Sequence, residues 1–233
     1  MKKTFKLPMT VPERVAGIAY IPIHSFALPF GLQMLFIAIG LELEAVNLTL
    51  AAYSISFLFI LITAFKFLKR SFSDLFDNFI GAMQSVALGL VFYFIANTAV
   101  SFVLLRFMDD IVNPNSQEII NEAQLNPDAI LVVSVLFAPI VEETMFRGAL
   151  FGSIRKRARV AAYVVSALVF ALYHLWPYLL YDLHAGDLLF ALQYIPASIV
   201  LAWCFERGGS IWAPIMLHAL INLIASVSIK WAV

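Results

Sequence analysis

Apolar stretches long enough to form membrane-spanning helices recur along the whole 233-residue chain. A helix needs about 20 mostly apolar residues to cross the hydrocarbon core of a bilayer. Seven stretches meet this requirement: 15–41, 45–65, 79–105, 130–154, 160–180, 188–206 and 209–229. The pattern predicts an all-α, polytopic bundle of seven transmembrane helices in one membrane-embedded domain, residues 1–233.

Three segments leave alternatives open. Pro29 and Gly31 could break the first stretch into two short helices, which would give eight spans. The segment WPYLLYDLHAGD, residues 176–187, could form a re-entrant or interfacial turn. The segment KFLKRSFSDLFDNF, residues 66–79, fits either an interfacial amphipathic helix or a simple loop.

The composition supports a membrane protein, since 62% of the residues are hydrophobic and 13% are charged. Soluble domains are about half apolar and a quarter charged. The single cysteine, Cys204, excludes an intramolecular disulfide, and its apolar neighbours are typical of a core residue.

Basic and acidic connections alternate between the stretches. The basic ones carry Lys2, Lys3, Lys6, Arg14, Lys66, Lys69, Arg70, Arg155, Lys156, Arg157, Arg159 and Arg207. The acidic ones carry Glu42, Glu44, Asp109, Asp110, Glu118, Glu122, Asp128, Asp182 and Asp187. Positive charge favours the cytoplasmic side, which predicts a multi-pass protein with a cytoplasmic N-terminus and an outward C-terminus. If the protein is prokaryotic, its membrane is the cell membrane. The bilayer explains the basic loops, and no nucleic-acid partner is expected.

Three charged residues interrupt the fourth apolar stretch, in FAPIVEETMFRGALF (137–151): Glu142, Glu143 and Arg147. A charged side chain at this depth costs about 2.5–3.5 kcal/mol on insertion scales, so the three must face the bundle interior or a wet cavity. Glu143 and Arg147 are four residues apart and can pair on one helix face. Glu142 points about 100° away and needs another partner.

Two later stretches offer such partners. FALYH places His174 in the fifth, and HALIN places His218 and Asn222 on one face of the seventh. A glutamate and a histidine can deprotonate a water, and a second histidine with an asparagine can donate hydrogen bonds to an oxyanion. Taken singly, these residues would more often form a structural ion pair, core histidines and an interhelical amide contact. His24 is expected to be structural and His184 solvated in a loop.

Together the motifs EExxxR (Glu142 to Arg147), FxxxH (Phe170 to His174) and HxxxN (His218 to Asn222), with the flanking ERGGSIWAPIMLHALINL, resemble the CPBP family. This family comprises the type II CAAX prenyl endopeptidases and their bacterial relatives, also called Abi proteins. The motif-bearing helices lie within 130–229.

The resemblance implies an all-helical intramembrane protease. It implies that Glu142 is the general base, assisted by His174, and that His218 and Asn222 form the oxyanion site. Glu143 and Arg147 would order the site or position the substrate.

The sequence lacks the motifs of other intramembrane protease classes. There is no HExxH for zinc and no GxSG for a serine nucleophile, and Asp182 and Asp187 of YDLHAGD share one loop, whereas an aspartyl protease needs two intramembrane aspartates. Glu142, His174 and His218 could still form a zinc set with an open position. No metal or other cofactor is expected, because Asn222 beside His218 suits an oxyanion pair better than a zinc site.

The sequence thus predicts an intramembrane endopeptidase that acts on a membrane-associated protein or peptide, with a prenylated CAAX C-terminus as one candidate substrate. Two other functions stay open. The same polar cavity could serve a non-catalytic scaffold or a bacteriocin self-immunity protein that binds a peptide or partner. A proton-coupled transporter also uses buried carboxylates and histidines, but the sequence shows no inverted repeat.

Overall fold

The computed structural model describes residues 9–108, 113–181 and 187–232, and these form helices without strands. The eight helices of the described residues are α1 (Val11–Ala38), α2 (Ala45–Asp77), α3 (Phe79–Leu104), α4 (Pro114–Leu125), α5 (Pro127–Arg155), α6 (Arg159–Tyr181), α7 (Ala191–Gly208) and α8 (Trp212–Ala232). Three wider π turns interrupt them: Ile23–Ala27 in α1, and Val133–Phe137 and Thr144–Phe151 in α5.

Six of the described helices, α1, α2, α3, α5, α6 and α7, are long and apolar enough to cross a membrane. The apolar part of α8, Trp212–Ser228, is somewhat shorter, and α4 is short and polar. The predicted fold class is confirmed: the chain is a multi-pass integral membrane protein built of helices. The predicted count of seven spans is approximate.

The structure corrects two details of the sequence analysis. The first apolar stretch stays one helix through Pro29 and Gly31, and its irregularity is the π turn Ile23–Ala27. Residues 66–77 are neither a separate amphipathic helix nor a loop, because α2 continues without a break to Asp77. Helix α6 includes Tyr181, whereas Asp182 and His184 lie outside the described residues.

Helix α5 lies at the centre of the bundle. About two thirds of its apolar window is buried (67%), against 11% in α1 and in α3, whose large apolar side chains point outward. It contacts α1, α2, α6, α7 and α8. At Gly17 of α1 the approach is so close that a Cβ atom would lie 2.7 Å from Cβ of Ala149. A central helix with this many neighbours can hold charged groups away from lipid.

The two ends of the bundle differ in charge. At the basic end, formed by residues 9–14, 66–78, 155–159 and 206–212, Arg70 bonds Glu13 at 2.7 Å, and Arg155 and Arg159 bond Glu206. At the acidic end, formed by residues 39–45, 105–108, 113–130 and 187–193, Thr49 donates to Glu122 from the first turns of α2 at 2.7 Å. Basic and acidic connections therefore lie at opposite ends, as the alternation along the sequence indicates.

Candidate active site

Glu142 lies on α5 just before the π turn Thr144–Phe151 and is 2% exposed. Its Oε1 accepts a hydrogen bond from the Tyr53 hydroxyl at 2.9 Å, and the Tyr173 hydroxyl oxygen lies 3.4 Å from the same atom. Its Oε2 is buried without a hydrogen-bond partner in the described part of the chain. That oxygen lies 3.9 Å from Nε2 of His174 and 4.0 Å from Nε2 of His218. One carboxylate oxygen thus faces two imidazole nitrogens across a gap too wide for direct hydrogen bonds.

His174 is held by α6 itself and by the start of α7. Its Nδ1 contacts the Phe170 carbonyl at 2.9 Å, and its ring stacks on Tyr194 with centroids 4.4 Å apart. A carbonyl oxygen can only accept, so Nδ1 carries the proton. In the neutral ring, Nε2 is then an acceptor directed toward Glu142.

His218 lies between the two glutamates. Its Nδ1 is 2.8 Å from Oε1 of Glu143, and the same oxygen accepts a bond from Nη1 of Arg147 at 3.1 Å. Arg147 is fully buried and lies over the Phe170 ring, 4.3 Å from its centroid. The spacing predicted that Glu143 and Arg147 are neighbours on α5, but the contact of Glu143 with His218 could not be predicted from it. Glu143 therefore orients His218, whose other nitrogen faces Glu142.

Asn222 satisfies a carbonyl that the π turn Val133–Phe137 leaves unpaired. The Ala138 N–H bonds the Val133 carbonyl, and Pro139 has no N–H to donate. The Ser134 carbonyl accepts instead from Nδ2 of Asn222, at 2.7 Å. A side-chain amide has two N–H groups, so one of them is available for a ligand.

Three residues of the hydrogen-bond network that reaches Glu142 were missed as site residues: Tyr53, Tyr173 and His24. His24, expected to be structural, lies in the π turn of α1, and its Nε2 is 2.9 Å from the Tyr173 hydroxyl. Tyr53 and Tyr173 also contact each other, at 3.0 Å. The sequence gives one weak signal for these residues, since each is a polar side chain within an apolar stretch. Polar groups at membrane depth require hydrogen-bond partners.

The hydroxyl protons of this network can be assigned one by one. Ser56 donates to the Ala52 carbonyl at 2.8 Å, so its oxygen accepts from Nδ1–H of His24, at 2.7 Å. Nε2 of His24 is then an acceptor and receives a hydrogen bond from the Tyr173 hydroxyl. Tyr53 remains as the main donor to Glu142.

A cavity of about 490 Å³ contains Glu142, His174, His218 and Asn222 in its wall. Its lining extends to α4 and includes the exposed Ser116 and Glu118, so the cavity reaches the surface at the acidic end. Glu143 and Arg147 do not line the cavity. Glu143 contacts the cavity wall through His218.

The zinc alternative would require its candidate ligands to lie closer together than they do here. Tetrahedral zinc with nitrogen and oxygen ligands at about 2.0–2.2 Å places them about 3.4 Å apart, whereas Glu142 Oε2 is 3.9 and 4.0 Å from the two imidazole nitrogens. Among the described residues, no three His, Cys, Asp or Glu side chains are grouped closely enough to hold a metal ion. A water does fit between Glu142 Oε2 and an imidazole Nε2 that lies 4.0 Å away. With the water oxygen about 2.8 Å from both atoms, the angle between its two hydrogen bonds is about 90°.

Comparisons with known proteins find distant relatives that match part of the chain. A Bacillus subtilis protein named "Putative membrane peptidase YdiL" is 28% identical over 109 residues, which cover 46% of this chain and 40% of that protein. A Lactococcus lactis protein named "UPF0177 protein YxdF" is 26% identical over 95 residues, 41% of this chain and 47% of that protein. The chain therefore matches less than half the length of these curated relatives, and no solved structure matches it.

The family comparison covers all three motifs. The matching description is "Type II CAAX prenyl endopeptidase Rce1-like", and the match includes α5 to most of α8. Residues 125–224 match the Rce1-like type II CAAX prenyl endopeptidase family, which confirms the resemblance indicated by the three motifs.

Proposed function

We propose that the chain is an intramembrane endopeptidase that hydrolyses a peptide bond of a membrane-associated protein or peptide. The observation that carries the proposal is the unpartnered Oε2 of Glu142, which faces two imidazole nitrogens in the wall of a cavity. The family match and the printed name of the Bacillus subtilis relative support the peptidase class.

In the proposed reaction, a water donates one hydrogen bond to Glu142 Oε2 and one to Nε2 of His174. Glu142 takes a proton while the water oxygen attacks the peptide carbonyl carbon, whose π electrons move to its oxygen. Glu142 then returns the proton to the amide nitrogen as the C–N bond breaks. No metal or other cofactor is required.

The charges around His218 suit an oxyanion role. Two carboxylates, Glu142 and Glu143, are buried with one guanidinium, Arg147, so a positive charge on His218 would make the cluster neutral. The imidazolium would keep Nδ1–H on Glu143 and offer Nε2–H to the developing oxyanion. The second N–H of Asn222 would supply the other donor.

The substrate and the orientation belong to the same proposal. The family match makes a prenylated CAAX C-terminus one candidate substrate. The charge distribution supports a cell membrane location with the N-terminus in the cytoplasm.

The test compares the wild type with Glu142→Gln, which keeps the shape of the side chain and removes the base. Both are reconstituted in liposomes with internally quenched peptides, with and without a C-terminal prenylated cysteine. We expect about a 10²–10⁴-fold loss of cleavage. The matched control is Glu42→Gln, at an exposed carboxylate of the acidic end. Cleavage that survives Glu142→Gln contradicts the proposal, and activity that is lost with a chelator and restored by zinc contradicts the metal-free mechanism.

A further inference from the structure

The wall of the cavity continues from the candidate site to α4. Tyr194 stacks on His174 and donates its hydroxyl proton to Oδ1 of Asn113, at 3.0 Å. Asn113 caps α4 through the Asn115 N–H, also at 3.0 Å, and donates to Gln193 at 2.7 Å. Side chains that orient the imidazole are thus bonded to the helix that borders the opening of the cavity.

Two carboxylates of α4, Glu118 and Glu122, line this opening and are called the acidic mouth. They are four residues apart on one helix, where like charges repel. Glu122, only 5% exposed, accepts from Thr49, and Glu118 accepts from Tyr178. No Lys or Arg side chain in the described part of the chain forms an ion pair with either. Burial raises the pKa of Glu122, and the nearby Glu118 charge raises it further.

The acidic mouth and the unpartnered Oε2 of Glu142 belong to one cavity. The first observation is two neighbouring carboxyl groups without a Lys or Arg partner among the described residues, and the second is a buried acceptor with no partner. A bound group with positive charge near the acidic mouth and a hydrogen-bond donor near Glu142, such as the attacking water or a backbone N–H, would complement both. An extended peptide with a Lys or Arg beside the cleaved bond has this form.

The acidic end also determines the side of the membrane from which a ligand enters. Nine described Lys and Arg residues lie at the basic end: Arg14, Lys66, Lys69, Arg70, Arg155, Lys156, Arg157, Arg159 and Arg207. At the acidic end, Arg106 is the single Lys or Arg whose side chain is described. The positive-inside rule assigns the basic end to the cytoplasm, so the cavity opens on the opposite face.

We propose that the site receives cationic peptide segments from the extracytoplasmic side, with a Lys or Arg near the cleaved bond held by Glu118 and Glu122. This inference rests on the proposed peptidase function. The same two carboxylates would repel a free C-terminal carboxylate such as that of a CAAX peptide. The preferred substrate is therefore an extracytoplasmic, membrane-bound peptide cleaved at an internal bond.

The orientation can be tested by labelling single cysteines in intact cells. The native Cys204 is buried, so Cys204→Ala gives a silent background. Onto it are placed Ser116→Cys, at the cavity opening, or Lys156→Cys, at the basic end, both at exposed positions. We expect a membrane-impermeant maleimide to label Ser116→Cys directly and Lys156→Cys only after permeabilisation. The reverse pattern overturns extracytoplasmic access.

The charge preference can be tested with three peptides that differ only in one residue beside the cleaved bond: Lys, norleucine or Glu. We expect the wild type to prefer the Lys peptide over the norleucine peptide about two- to fivefold in kcat/KM. Replacing both residues of the acidic mouth (Glu118→Gln with Glu122→Gln) should abolish this preference, so that the variant cleaves the Lys and norleucine peptides with equal kcat/KM. The control Asp128→Asn, at an exposed acid of the same end outside the cavity lining, should keep it.

The outcomes separate this inference from the proposed function. A preference that survives loss of the acidic mouth overturns the inference, while the peptidase proposal stands. If Glu142→Gln cleaves all three peptides as fast as the wild type, the proposed function itself fails. Glu118→Gln alone serves as a second variant, because Glu118 is exposed and its replacement should leave folding intact.

Discussion

Removing the Tyr53 hydroxyl tests most directly how the Glu142 carboxylate is held in place. Tyr53→Phe removes one O–H group, 2.9 Å from Oε1 of a buried carboxylate, and keeps the ring. Hydrogen bonds to charged groups contribute about 1.5–3 kcal/mol. Since the bond favours the ionised carboxylate, its loss should move the acid limb of the pH–rate profile up by about 1–2 pH units. Below that limb, kcat/KM should fall about 10- to 150-fold.

The assay is kcat/KM on one quenched peptide across roughly pH 5 to 9. Tyr173→Phe should have a smaller effect than Tyr53→Phe, because Tyr173 lies 3.4 Å from Glu142 and its proton is assigned to His24. Tyr93→Phe is the matched control. Tyr93 lines the same cavity, whereas the tyrosine hydroxyls described within hydrogen-bond distance of Glu142 are those of Tyr53 and Tyr173.

Two results would refute this reasoning. If Tyr53→Phe lowers kcat/KM equally at every pH, the hydroxyl does not stabilise the ionised carboxylate and acts through packing. If Tyr173→Phe moves the acid limb as far as Tyr53→Phe, the proton assignment that directs Tyr173 toward His24 is wrong.

Three further predictions concern stability in detergent. Arg147→Met leaves Glu143 buried without its guanidinium and should cost about 3–5 kcal/mol of unfolding free energy. Adding Glu143→Gln should recover part of this loss, and equal stability of the single and double variants contradicts the ion pair. Because burial raises the pKa of Glu122, its stabilisation is complete below the unfolded pKa and is lost as pH rises through the folded pKa. The Tm of the wild type should therefore fall more than that of Glu122→Gln when pH is raised from about 4 to about 7, and parallel curves exclude this. Gly17→Ala should destabilise by about 1–3 kcal/mol through the close approach to α5, whereas Gly31→Ala, with open space around it, should be neutral or stabilising; similar thermal shifts for both would contradict the close packing.

The charged residues of α5 could be predicted from sequence because their cost in a membrane is large. No bundle can leave Glu142 and Arg147 facing lipid, so their burial follows from energetics alone. The helix spacing also indicates that Glu142 and Glu143 face different directions. The residue that each glutamate meets depends on how α6 and α8 pack against α5, which the spacing within one helix does not specify.

The tyrosines show the opposite case. Tyr53 and Tyr173 are amphipathic residues that are common in membrane helices, and their positions carry no motif. Their role follows from tertiary contacts alone, since hydroxyl groups from α2 and α6 meet at one oxygen of Glu142. The motifs therefore identify the histidines but not the tyrosine hydroxyl that donates to the Glu142 carboxylate.

Asn222 shows how a π turn changes the interpretation of a motif. The HxxxN spacing places Asn222 one turn after His218, which suits a second oxyanion donor. The extra residue in the turn Val133–Phe137, together with Pro139, creates an unpaired carbonyl at Ser134 that periodicity does not reveal. Asn222 therefore has a structural bond as well as a proposed catalytic one, and loss of activity in Asn222→Ala would not separate the two.

The family match covers residues 125–224, yet the site also depends on helices that precede it. Tyr53 comes from α2, and His24 from the π turn of α1 accepts the proton of Tyr173. Helix α1 reaches the segment of α5 that follows Glu142 closely enough for Gly17 to touch Ala149. The motifs thus supply the groups proposed to react, and the first two helices supply the donor that keeps Glu142 oriented. Motif-bearing helices grafted onto a different N-terminal half would keep the two histidines but lack the main hydrogen bond to the proposed base, and such a chimera should resemble Tyr53→Phe in its pH profile.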